Sequence, residues 1–96
     1  MRLDKWLWQA RFFRTRGLAT AEVAAGHVRV NGVKAAKPAH PLHSGDVLTF
    51  PQGGRVRLIR VRACSQRRGP AAEAIRLYVD LDATEDAGNP LVRLND

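Results

Sequence analysis

Among 96 residues the sequence holds one cysteine, one methionine and one tyrosine. A lone Cys64 excludes an intrachain disulfide, and with it the small secreted scaffolds that use bridges in place of a core. Long apolar runs are missing too. The N-terminus reads Met-Arg-Leu-Asp-Lys-Trp, with charges interleaved, so neither a signal peptide nor a membrane-spanning helix is expected and the cytoplasm is the fitting compartment. Glycine-rich phosphate loops, a serine elbow and Cys-x-x-Cys pairs are absent. His40-x-x-His43 with Cys64 leaves a fourth zinc ligand unassigned, so the histidines read as solvated loop residues and Cys64 as a small packing residue near a strand end. The carboxylates Asp80, Asp82, Glu85 and Asp86 read as solvated. No metal, no cofactor and no intrinsic catalysis are expected, and the length leaves no room for a catalytic domain beside an accessory one.

Acidic residues are scarce where the chain is richest in bases. The whole carries 16 Lys+Arg against 9 Asp+Glu, a net of +7. The first 72 residues hold 14 bases and only Asp4, Glu22 and Asp46, a net of +11, whereas residues 73–96 hold six acids and two bases, a net of −4. A cationic field confined to one part of the chain favours a polyanionic partner, nucleic acid before anionic membrane.

Leu3, Trp6, Leu7 and Ala10 fall at helical spacing and Phe13 extends the stripe, predicting a first helix over about 3–13. Lys5, Trp8, Arg11, Phe12 and Arg14 lie off that stripe; Trp8 and Phe12 either stack on bases or cover the β element. Thr15 is a natural N-cap and Gly26 a natural stop for a second helix, with Leu18, Ala21, Glu22 and Ala25 on one face. After Gly26 the period becomes two: Val28 and Val30 point one way, and Asn31-Gly32 predicts a type I′ turn into a returning strand over 33–37. Pro38, Pro41 and the histidines mark a loop, and 47–50 another strand. The stretch 55–64 is a strand whose alternation shifts phase, requiring either a bulge near Leu58-Ile59 or partial cover on both faces. Pro70 introduces a short helix over 71–76 followed by extended chain. The domain is expected to occupy residues 1–82, with 83–96 a flexible acidic tail.

Taken in order, Arg2-Leu3-Asp4-Lys5, Thr15-Arg16, Gly26, Val28-Arg29-Val30-Asn31-Gly32 and Gly45-Asp46 resemble the S4-like RNA-binding domain. The resemblance covers about residues 2–50 by motif. It implies an α+β, S4-like (αL motif) fold in which two N-terminal helices pack on a small, mainly antiparallel sheet, and in which helices and hairpin form an RNA-binding surface. Asp4-Lys5-Trp6-Leu7-Trp8, Ala10-Arg11-Phe12, Arg67-Arg68-Gly69-Pro70, Glu73-Ala74 and Leu77-Tyr78 resemble more narrowly the ribosome-associated bacterial heat-shock branch of that family. That branch implies ribosomal RNA and the large ribosomal subunit carrying peptidyl-tRNA as partners. Its members often continue into a basic extension, whereas this sequence ends acidic, so the RNA-binding core carries over more directly than a rescue or recycling role.

An RNA phosphate track needs cations on one face. Arg2, Lys5, Arg11, Arg14 and Arg16 of the helical region, with Lys34 and Lys37 on the hairpin and loop, are the candidates, and arginine adds a planar fork for phosphates or unpaired bases. Thr15 offers a hydroxyl to phosphate or a cap to the helix, or both. Arg67 and Arg68 are a second phosphate contact or ordinary solvated charges. The expected protein is a monomer that binds structured ribosomal RNA without catalysis; the alternative is a DNA-binding or protein-interaction module.

Overall fold

The computed structural model describes residues 1–81. The element order is α1 (Leu3–Gln9), α2 (Arg16–Ala24), β1 (Arg29–Val30), β2 (Val33–Lys34), β3 (Val47–Gln52), β4 (Arg55–Val61), α3 (Ala71–Ala74), a 3₁₀ turn (Ile75–Leu77) and β5 (Tyr78–Asp80). The five strands form one antiparallel sheet in the order β2-β1-β3-β4-β5. The α+β class and the antiparallel sheet are as the sequence predicts; the acidic tail from residue 83 lies outside the described residues.

Both N-terminal helices end in the same way. In α1 the N–H of Phe12 bonds the Leu7 carbonyl (3.0 Å) and that of Arg11 bonds Trp8 (3.0 Å); in α2 His27 bonds Glu22 (3.1 Å) and Gly26 bonds Val23 (2.9 Å). These paired bonds are Schellman stops, which need a left-handed residue. Gly26 supplies one at φ 81°, but Arg11 supplies the other at φ 66° with a full side chain. That is why α1 stops at Gln9 rather than running to Phe13. The turn swings Phe12 onto the sheet, where its ring lies 5.4 Å from Phe50 and 4.6 Å from Tyr78, so Phe12 covers the β element instead of facing solvent.

The core collects Leu3, Trp6 and Leu7 of α1, Ala19 and Val23 of α2, and the inward residues Val30, Leu48, Phe50, Ile59 and Val61 of the sheet. The buried face of α2 is therefore not the one its Leu18 suggested: Leu18 is 51% exposed. Small Ala19 on the inner side lets the helix pack closely on α1, and in nine residues several stripes are equally periodic.

The Asn31-Gly32 turn has positive φ at both residues, 53° and 84°, as a type I′ turn requires. Asn31 also braces the sheet: its Oδ1 accepts the Val47 N–H (2.9 Å) and its Nδ2 donates to Asp46 (3.1 Å). The returning strand is only Val33–Lys34, because the chain then turns Ala35 into the core and runs toward Pro38. Strand β4 pairs without a bulge from Arg55 to Arg60 opposite Gln52 to Val47. Its phase shift is resolved by partial cover instead: Ile59 and Val61 face the core, Leu58 is half-buried on the other face, and Val56 near the hairpin end is exposed. Cys64, past the end of β4, is exposed rather than packed.

Candidate nucleic-acid interface

The first turn of α1 carries the most enclosed charge among the described residues. Asp4 is 1% exposed and accepts from Arg2 Nε and Nη2 (3.1 Å each), from the Lys5 N–H (2.8 Å) and from Thr20 Oγ1 (2.8 Å). Thr20 Oγ1 is also 2.9 Å from the Arg16 carbonyl, but its single proton serves one acceptor at a time and the carboxylate is the stronger. Arg16 Nη2 reaches to 3.9 Å of the same carboxylate. Burial pushes the Asp4 carboxyl upward; the hydrogen bonds from Arg2 and Thr20, the Arg2 charge and the Lys5 amide outweigh it and hold the group below the usual value. Asp4 thus holds the Arg2 guanidinium by two hydrogen bonds and draws that of Arg16, from α2, to the edge of ion-pair distance. With side chains 48% and 42% exposed, Arg2 and Arg16 keep outward edges for a ligand.

The loop after β2 is tied beside this carboxylate. Asp4 N–H bonds Pro38 O (3.2 Å), Leu3 N–H bonds His40 O (3.0 Å), and Arg2 bridges Pro41. Lys37, exposed on that loop, joins the same neighbourhood, and Arg14 and Thr15 lead directly into α2. Thr15 Oγ1 accepts the Leu18 N–H (3.1 Å), so its helix-capping role is realised. At the far end of α2 the Lys34 side chain lies against Gly26, where an added Cβ would come within 3.3 Å of its Nζ. A lysine there also complements the negative end of the helix. Lys5, Arg14, Lys34 and Lys37 have no side-chain hydrogen bond or ion pair among the described residues.

Arg11, Arg67 and Arg68 belong elsewhere. Arg11 Nε donates to Gly69 O (2.8 Å), Arg68 Nε donates to Trp8 O (3.0 Å), and the Arg68 guanidinium lies 5.5 Å over the half-buried Trp8 ring. These reciprocal bonds clasp the 67–69 loop to the C-terminal end of α1, and Arg67 pairs with Glu73 (3.1 Å). Trp8 is covered by an arginine of its own chain. Thr20 went unnoticed in the sequence because nothing in its spacing marks a hydroxyl four residues into a helix as a carboxylate's partner. Arg60 and Arg62, exposed cations on and after β4, were also not among the candidates. Among the described residues no three His, Cys, Asp or Glu side chains are grouped to hold a metal ion, and no helix is long and apolar enough to cross a membrane.

The S4 domain model matches residues 1–48, which contain Asp4 and every cation placed around α1 and α2. The chain belongs to the S4 domain family. Within it, the S4 segment continues into close likeness to heat shock protein 15: the chain is 44% identical to the Escherichia coli K12 protein over 78 residues, covering 81% of this chain and 58% of that one. To the Aeromonas salmonicida homolog it is 39% identical over 84 residues, covering 88% and 63%. The chain therefore spans about three-fifths of the length of these relatives. A structure described as trimeric Vibrio cholerae heat shock protein 15 superposes with a TM-score of 0.80 at 38% identity, covering 100% of this chain and 98% of that one. Over 47 residues, 49% of this chain and 23% of that one, the chain is 43% identical to the small ribosomal subunit protein uS4 of Rhodopirellula baltica. The loop with Arg67 and Arg68 lies beyond the S4 match, in agreement with its separate place in the fold.

Proposed function

We propose that this protein binds structured ribosomal RNA without catalysis, through the cationic surface around α1 and α2. The observation that carries the reading is the Asp4 arrangement: a buried carboxylate holds the Arg2 guanidinium by two hydrogen bonds and has that of Arg16 at 3.9 Å, both half-exposed, with Lys37, Arg14, Thr15 and Lys34 arranged about the same two helices. A surface that presents half-exposed guanidiniums and free ammonium groups, in a domain shared with a ribosomal protein, suits a phosphate track. Likeness to heat shock protein 15 supports the finer reading that the target is the large ribosomal subunit carrying a nascent chain on tRNA, in a stress or rescue role that would place the protein in the cytoplasm. We take the binding unit to be one chain; sedimentation equilibrium reads this, and a trimer like that of the Vibrio cholerae structure would revise it.

The direct test reverses charges that the fold does not use. Arg14→Glu combined with Lys37→Glu should lower affinity for a ribosomal RNA fragment by about 10- to 100-fold at moderate salt, with circular dichroism and melting unchanged. Arg16→Glu is unsuitable, since it would set a second carboxylate beside Asp4. Unchanged affinity in the double variant moves the site off this face. Equal competition by duplex DNA would favour a general phosphate binder over an RNA-specific one. Co-sedimentation with separated ribosomal subunits, with and without stalled peptidyl-tRNA, tests the finer reading; equal partition between subunits would defeat it.

A further inference from the structure

Side chains alternate between the two faces of a sheet, and here the faces differ in charge. On the face turned away from the core, the register puts Lys34, Arg29, Thr49 and Leu58 in one row and Arg60 in the next. Asp80 is the only acid in the five strands, and it lies opposite Ile59 on the core side, paired with Arg57 (3.0 Å). The outward strand positions therefore hold three cations and no carboxylate. Toward the β3–β4 turn, His27, Arg29, Thr49, Pro51 and Val56 line a groove of ≈ 210 Å³. It is open to solvent: His27, Arg29 and Pro51 are exposed, and Val56 is 60% exposed. Arg29 gives one N–H to the Gly32 carbonyl (3.2 Å), and His27 Nδ1 lies 3.2 Å from both Glu22 oxygens. A carboxylate only accepts, so Nδ1 donates and Nε2 is left for a ligand. Exposed Arg60 has no hydrogen bond or ion pair among the described residues.

We propose that this outer sheet face is a second RNA surface, receiving a single-stranded stretch that runs on from the helix face. One nucleoside lies in the groove against Pro51 and Val56, and the backbone phosphates lie on Lys34, Arg29 and Arg60. The proposal rests on the RNA-binding reading given above. Continuity argues for it: Lys34, whose side chain lies against Gly26 at the end of α2, is the cross-strand partner of Arg29, so one lysine belongs to both surfaces. Charge argues for it too, because cations with no acid among them suit a polyanion. The apolar groove decides the form of that RNA. Bases of a duplex are hidden in the stack, whereas an unstacked nucleotide brings a bare ring face and an outward phosphate, which Val56, Pro51 and Arg29 match. His27 and the Thr49 hydroxyl add polar groups for a ribose hydroxyl in the same groove.

The test compares, by fluorescence anisotropy, a blunt hairpin of ribosomal RNA with the same hairpin carrying a flank of about eight unpaired uridines at its 5′ or its 3′ end. One of the two flanks should raise affinity about tenfold. Val56→Asp sets a carboxylate in the groove at an exposed position, and Arg60→Gln removes a cation. Each should cut that gain about three- to tenfold, with circular dichroism and affinity for the blunt hairpin unchanged. In ¹⁵N-labelled protein the amide signals of Thr49 and Val56 should move with the flanked hairpin and stay still with the blunt one. Flanks that add no affinity, a gain that survives both variants, or a gain that persists once a complementary strand pairs the flank, overturns the proposal and leaves the helix-face reading intact. Polyglutamate that displaces the flank as readily as oligouridine does also overturns it, since the face would then take acidic chains of any kind. A flank gain lost in Val56→Asp, in a protein whose Arg14→Glu/Lys37→Glu variant still binds the blunt hairpin fully, would support the sheet face and reject the helix-face reading.

Discussion

Placing a carboxylate out of water next to arginines costs desolvation of both, and such an arrangement persists only where the geometry repays it. At Asp4 the return is positional: one side chain ties the start of α1 to Arg2, Arg16 and Thr20. Because the folded carboxyl titrates below its unfolded value, Asp4 contributes stability that is fully present above the unfolded pKa, about 3.9, and is lost as pH falls through the lower folded value. Asp4→Asn keeps the shape but removes the charge and replaces one of the two accepting oxygens with an NH2 donor, so at least the bond from one Arg2 nitrogen or from the Lys5 amide is lost. It should cost about 1–3 kcal/mol at pH 7 and flatten the acid limb of stability below pH 4, read by urea unfolding across pH 2–7. An acid limb as steep as that of the parent protein would show that Asp4 is not the group responsible. The same variant should weaken RNA binding more than its lost stability explains, since Arg2 and Arg16 then lose their anchor.

At the scale of elements, the stop of α1 is the decisive feature, because it aims Phe12 at the sheet and presents Arg11 to Gly69. A non-glycine residue in the left-handed region carries strain of about 1 kcal/mol. Arg11→Ala and Arg11→Gly both lose the bond to Gly69, but only glycine relieves the backbone, so the glycine variant should be the more stable of the two by about 1 kcal/mol in thermal or urea unfolding. Equal stability would argue against the left-handed stop. This stop also marks the limit of what the sequence could say. Thr15, Gly26 and Asn31-Gly32 were legible because each signals a local backbone need through residue type alone. Arg11 gives no such signal, so the apolar stripe carried the expected helix past its end to Phe13. The buried face of α2 and the division of cations between the Asp4 neighbourhood and the 67–69 clasp depend on which surfaces meet in three dimensions, and periodicity in nine residues does not decide that. The candidate cations themselves were mostly readable by charge and motif; what Asp4 and Thr20 do to them was not.

For the molecule as a whole, the uneven charge becomes a quantity that can be measured. Around α1 and α2 six cations are available, the half-exposed Arg2 and Arg16 with Lys5, Arg14, Lys34 and Lys37, while Arg11, Arg67 and Arg68 are engaged within the protein. If those six each displace one condensed counterion, the logarithm of RNA affinity should fall against the logarithm of salt with a slope of about −4 to −5. Lys34→Gln with Lys37→Gln should bring the slope to about −3, because two phosphate contacts are removed without introducing repulsion. Arg68→Gln opens the clasp, lowering the melting temperature and speeding amide exchange around residues 64–70, yet it should leave the slope where it was. The two measurements separate cations that serve the partner from cations that serve the fold. A slope near zero would mean that binding is apolar, and a slope that moves with Arg68 but not with Lys34 and Lys37 would transfer the phosphate track to the other end of α1.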